Sequence, residues 1–258
     1  MSKVFGSELT LARNSRGCYI LDTVKGCSIV NSRQGGCYGE CYAANIAKRY
    51  RWEFGDPVSR KFQDEKSKTS LIRQIQKATM PFIRIGEMGD PSEDWENTLS
   101  IASQISGYGK QIVIITKHWK PIPRHLLPLL FGVTVNTSIS ALDSRGEVAY
   151  RIAQFQKLKK WCNSVLRVVS CRFNESSYEG RQRAEIQDLL FTHNPIDTVF
   201  RPSAKNEFIE RGVIHVEPRK FLGTVMLASV RDKAAHFGDC ESCPDQCGIN
   251  QTAQTSLF

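Results

Sequence analysis

Short runs of Val, Ile and Phe recur along this chain, each closed by polar residues and followed by a stretch of helical period. Pro81-Phe-Ile-Arg-Ile85 reads as a strand ending in Gly-Glu-Met-Gly-Asp, and Gln111-Ile-Val-Ile-Ile115 as one ending in Thr116-Lys117. Gly132-Val-Thr-Val135 ends in Asn136-Thr137-Ser138, Ser164–Val169 in Ser170-Cys171-Arg172, and Asp197–Phe200 in Arg201-Pro202. Runs rich in β-branched residues and bounded by polar ones are the pattern of buried parallel strands. Between them, residues 59–79, 93–105, 144–160 and 179–190 carry helical periodicity. Leu71, Ile72, Ile75 and Ala78 share a face of the first of these. Val148, Ile152, Phe155 and Leu158 share a face of the third. Ser92 is the expected cap of the second. Short strands at Tyr19–Leu21 and Val213–Val216, and helices at 43–50 and 123–130, complete the pattern.

Strands alternating with helices imply βαβ units and a mainly parallel sheet, either a partial barrel or a doubly wound sheet. In both, the polar rim after the strands is where ligands bind. The 258 residues suffice for a real core. No apolar run approaches the ~20 residues that cross a bilayer, and residues 1–16 hold no continuous apolar stretch of the secretory kind. A cytoplasmic globular protein is expected.

The charge and the cysteines sharpen this picture. A net charge of +9 is compatible with an anionic partner such as nucleic acid but does not name one. Tyr42, Tyr50, Trp52, Trp95 and Trp119 are candidates to stack on bases, although core packing is the commoner fate of aromatic residues. Nine cysteines, an odd number without a secretory leader, argue for metal ligation over disulfides. Cys27, Cys37 and Cys41 lie in a Gly-rich loop before a helix. Thiolates suit zinc or iron–sulfur centres, and three ligands leave a coordination position open. A zinc knuckle completed by Cys18 fits the same residues. Near the other end, Cys240-Glu-Ser-Cys243-Pro-Asp-Gln-Cys247 forms a second chelating run for iron–sulfur or zinc. Its fourth ligand could come from Cys18, Cys162, Cys171, His236 or Asp239. Cys162 reads as a plain buried residue, and His215, between Val213 and Val216, as structural. No Walker loop, nucleophile elbow or dinucleotide fingerprint is present.

The string Gly26-Cys27…Gly36-Cys37…Cys41-Tyr42-Ala43, ahead of a basic helix and a βα series, resembles the cluster loop of the radical S-adenosylmethionine (radical SAM) family. It is most similar to a branch holding phage-associated proteins and relatives of spore photoproduct lyase. The family's common spacing is C-x3-C-x2-C, and this chain departs from it with nine and three intervening residues. Cys37 and Cys41 cannot be the first two ligands, because Ala44 stands where the third would be. The resemblance implies a partial (β/α)6-type TIM barrel over residues 1–236, with a cysteine-rich metal-binding extension over 237–258. It implies a [4Fe–4S] cluster on Cys27, Cys37 and Cys41 that cleaves SAM reductively to a 5′-deoxyadenosyl radical, fed by a donor such as flavodoxin or ferredoxin. It places cofactor contacts at Tyr42, Gly86, Glu87, Asp90, Lys117, Asn136, Ser138, Arg172 and Arg201. Gly86-Glu87-Met88-Gly89-Asp90 takes the place of the family's Gly-Gly-Glu-type motif, with Ile85 in place of one glycine. Cys171 becomes a catalytic candidate, and Cys240, Cys243 and Cys247 look like the ligands of an auxiliary cluster. The substrate stays open, with nucleic acid or a nucleotide favoured. The competing expectation is a zinc-stabilised nucleic-acid-binding protein without catalysis.

Overall fold

The computed structural model describes residues 3–32 and 37–250. Its centre is a seven-stranded sheet made of β1 (Ala12–Arg13), β2 (Tyr19–Ile20), β3 (Phe82–Ile85), β4 (Gln111–Thr116), β5 (Val133–Ile139), β6 (Asn163–Ser170) and β7 (Ile196–Val199), in that spatial order. β1 pairs antiparallel with β2, and every other pairing is parallel. Between the strands run α1 (Tyr42–Arg49), α2 (Glu65–Lys77), α3 (Trp95–Ile105), α4 (Arg145–Leu158) and α5 (Tyr178–Phe191). The alternation legible in the sequence is therefore the fold. A β-hairpin, β8 (Glu217–Phe221) with β9 (Thr224–Ala228), stands outside the expected pattern: β8 is mostly polar, and the short apolar run Val225–Ala228 of β9 follows no helix.

Register assigns the two faces. Ile83, Ile85, Ile112, Ile114, Val133 and Val135 pack with Leu71, Ile75, Leu99 and Ile105 of α2 and α3. Ile139, Leu166 and Val168 pack with Phe155 and Leu190 of α4 and α5. These helices thus cover one face, unlike the two covered faces of a doubly wound sheet. The opposite face carries Ile20, Phe82, Arg84, Val113, Asn136, Val165, Arg167 and Ile196, the alternate residues in register across the strands. The C-terminal segment lies here: Cys240, Cys247 and Ile249 pack with Cys18, Ile20, Phe82 and Val113. A Cβ on Gly248 would touch Val165 and Ile196.

Several boundaries differ from expectation. α3 begins at Trp95 and is capped by Asp94, whose carboxylate accepts from Asn97 N at 3.0 Å, because Pro91–Asp94 first form a 3₁₀ turn capped by Asp90. β5 runs on to Ile139, so Asn136, Thr137 and Ser138 lie inside the strand rather than after it. Residues 213–216 contribute only Ile214–His215, paired antiparallel with Arg172–Phe173 outside the main sheet, and His215 is exposed.

Candidate functional site

The loop after β2 meets the segment after β3 through backbone contact. Gly26 N donates to Met88 O at 2.8 Å, and Gly26 and Gly89 form a β-bridge. A Cβ on Gly89 would lie 2.6 Å from Val24 O and 2.7 Å from Gly26 O, so only glycine permits the approach. Buried Asp22 holds the turn from beneath, its Oδ1 accepting from Glu87 N at 2.8 Å and Met88 N at 3.2 Å. Burial raises its carboxyl above the ordinary range against the pull of those two N–H groups. Cys27 therefore stands directly beside Gly86–Asp90.

Cys37 and Cys41 flank a second turn, with Tyr38 at φ 59°, and Cys41 is the N-cap residue of α1. The turn is fastened from the far side of the sheet. Tyr38 O accepts from Asn206 Nδ2 at 2.9 Å, and the Glu40 carboxylate accepts from Ser203 N and Oγ, both at 2.6 Å. Burial, and next to it the charge of Lys117 in the opposite sense, leave the Cys37 thiol pushed up to about 11. Burial also pushes Cys27 up. Cys37 lies within electrostatic reach of both Cys27 and Cys41. Among the described residues no three His, Cys, Asp or Glu side chains converge on a point that one ion would occupy. Three thiols form a soft donor set of the kind that zinc or iron–sulfur centres take.

Behind this turn lies an ionic group that the sequence did not reveal. Asp143 is 4% exposed and pairs with Arg151 Nη1 at 2.6 Å and Lys117 Nζ at 3.5 Å. Its Oδ2 also accepts from Ser140 N at 2.8 Å. Burial alone would raise this carboxyl, but Lys117 and Arg151 hold it below its usual range. Lys117 Nζ contacts the Tyr38 hydroxyl and lies 4.0 Å from that ring's centre. Lys117, expected to meet a ligand, thus ties the cysteine turn to the sheet rim.

The other expected cofactor residues divide. Gly86 (φ 99°), Glu87 and Asp90 stand at the rim after β3. The Glu87 carboxylate pairs with Arg84, accepts from Asn14 Nδ2 at 2.9 Å and accepts from the Tyr42 hydroxyl at 3.2 Å. Tyr42 is otherwise exposed. The Asp90 carboxylate is fully engaged, by Ser92 N, Thr116 Oγ1 and Lys117 N. Ser138 is buried in β5, and Asn136 donates to Cys247 O at 2.9 Å. Asn136 therefore secures the C-terminal segment. Arg172 is exposed, with its backbone N donating to Ser229 Oγ. Arg201 lies over the rings of Phe221 and Phe237. Cys171 is fully buried among Ala141, Leu142, Phe173, Phe200 and Phe208, with its backbone bonded to Gln187. Burial holds its thiol well above the ordinary range, and these are the surroundings of a core residue. Cys162, expected to be buried, is half-buried against the core, its thiol bonded to Leu158 O.

The fold is similar to that of spore photoproduct lyase. A double mutant of that lyase, solved with bound AdoMet and dinucleoside spore photoproduct, superposes with a TM-score of 0.52 at 11% identity, over 86% of this chain and 72% of that one. No family model and no curated protein matches the sequence. The likeness is one of fold, and it falls on the group whose cluster loop the cysteine string resembles.

Proposed function

We propose that this chain is a radical SAM enzyme of partial-barrel architecture, acting on a nucleic acid or nucleotide. Cys27, Cys37 and Cys41 would hold a [4Fe–4S] cluster, which supplies the reductive cleavage of SAM and leaves the protein to position and shield. The observation that carries this reading is the Gly26–Gly89 backbone contact, which sets the first cysteine beside the Gly86–Asp90 turn. The chain's own residues then have distinct tasks. Carbonyls of the Gly86–Gly89 turn offer acceptors to an ammonium group. Asp22 keeps that turn in shape, and the Tyr38–Lys117–Asp143 group fixes the Cys37–Cys41 turn against the rim. The nucleic-acid preference rests on the net charge of +9. An external one-electron donor of the flavodoxin or ferredoxin kind completes the proposal.

The test is anaerobic reconstitution with ferrous iron and sulfide, then incubation with dithionite and SAM, with 5′-deoxyadenosine measured by chromatography. The wild-type chain is expected to release it, and Cys27→Ala, Cys37→Ala and Cys41→Ala each to abolish it. A colourless zinc protein that binds DNA or RNA salt-sensitively and leaves SAM intact would replace this reading with that of a zinc-stabilised binding protein.

A further inference from the structure

Two ends of the chain meet on the sheet face that the helices leave uncovered. Cys18, on the approach to β2, is fully buried and packs in one apolar cluster with Cys240. Cys240 N donates to Arg16 O at 2.7 Å, which fixes that juxtaposition through the backbone. Cys247 lies within electrostatic reach of Cys18, Cys240 and Cys243. Its loop is clamped to the sheet by Asn136 on Cys247 O and by Asn163 on Gly248 O at 3.1 Å. Of the candidates for a fourth ligand, Cys162 and Cys171 pack with other core clusters, His236 bonds Asp239 O at 2.8 Å, and the Asp239 carboxylate accepts from Ser242 N at 2.7 Å. Cys18 alone is already in place.

The surroundings ask for an anion. A cavity of about 50 Å³ beside Cys240, Cys243 and Cys247 is lined by Arg16, Arg84, Arg167 and Arg201. Among the described residues, the one ion pair to any of these four arginines is Glu87 on Arg84. Arg84 is 8% exposed, and its Nε is buried without a hydrogen-bond partner, as is Asn136 Oδ1. A buried guanidinium such as that of Arg84 is costly unless negative charge joins it, and half-exposed Arg16, Arg167 and Arg201 add positive charge around the same cavity. Four thiolates around a metal centre supply that charge. A single zinc ion needs its sulfurs about 2.3 Å from one point, closer together than a cubane does. A cubane holds four thiolates apart and fills the space between them.

We infer that Cys18, Cys240, Cys243 and Cys247 bind a second iron–sulfur cluster, fully ligated by the protein and charge-balanced by Arg16, Arg84, Arg167 and Arg201. Four protein sulfurs leave no iron open, so this cluster does not bind SAM, and it staples the chain end across the sheet.

The test uses the full-length Cys27→Ala/Cys37→Ala/Cys41→Ala variant, reconstituted anaerobically with ferrous iron and sulfide. It should hold about four irons and four sulfides, against about eight of each in the wild type, and the spectrum of its reduced cluster should not change when SAM is added. Adding Cys18→Ser should remove that iron while circular dichroism still reports the fold. Cys243→Ser, at a half-exposed position that does not threaten the core, should remove it too. Absence of iron from the triple variant, bound zinc in its place, a spectrum altered by SAM, or full iron retention in a folded Cys18→Ser chain would each overturn the inference. A wild type with only about four irons, all dependent on Cys18 and Cys243, would instead sink the radical SAM reading and leave this inference standing.

Discussion

His118 shows how one side chain at the rim couples burial to pH. It is fully buried at φ 52°, with Nε2 3.0 Å from Thr137 Oγ1 and Nδ1 unpartnered. Burial, and then the charges of Arg151 and Lys157, push its pKa down to about 3. In the unfolded chain the same ring takes a proton near pH 6.5. Between those values the unfolded state binds more protons, so this contribution to stability is complete above about 6.5 and is lost as pH falls toward 3. Asparagine tolerates the left-handed backbone, so His118→Asn should fold. Its urea midpoint should fall less between pH 7 and pH 5 than that of the wild type, by the equivalent of about 2 kcal/mol; equal losses would remove His118 from the account. Arg84 and Arg167 teach a related lesson. Each is a lone charge inside an apolar strand run, a signal present in the sequence, but its meaning depends on what lies across the face. Asp143, in a turn of ordinary composition, carried no such signal.

Among the elements, the turn after β3 leaves no room for a side chain at either glycine. Gly86 lies at φ 99°, and a Cβ there would stand 2.6 Å from Ile115 O and 2.9 Å from Pro91. Gly86→Ala should therefore cost about 2 kcal/mol in chemical unfolding and weaken SAM binding measured by equilibrium dialysis. Unchanged affinity would show that the turn does not shape the site. The helices and parallel strands were legible because their apolar periods match their burial, as in α2, where Leu71 and Ile75 form the buried face. The end of β5 was misjudged because Asn136, Thr137 and Ser138 look like a polar rim. Thr137 contacts His118, Asn136 donates to the C-terminal segment and all three are buried, so polarity did not mean exposure.

For the whole molecule, the C-terminal segment behaves as part of the core. Cys240, Cys247 and Ile249 cover Phe82 and Val113, which no helix covers. A chain ending after Ala235 should lose on the order of 3 kcal/mol and bind a hydrophobic dye such as ANS more strongly. An unchanged unfolding midpoint would mean that the segment only rests on the sheet. No helix among the described residues is long and apolar enough to cross a membrane.

The sequence alone determined the α/β alternation, the mainly parallel sheet and the two clusters of cysteines, because hydrophobic period and ligand spacing are local properties that survive without coordinates. Only the tertiary structure decided that Cys18 packs beside Cys240, which face of the sheet receives the C-terminal segment, and that four arginines line the cavity there. Cys18 and Cys240 are far apart along the chain, and nothing in the spacing of either predicts their meeting. It follows from strand register and from a backbone hydrogen bond between the two ends, and both exist only in the folded chain.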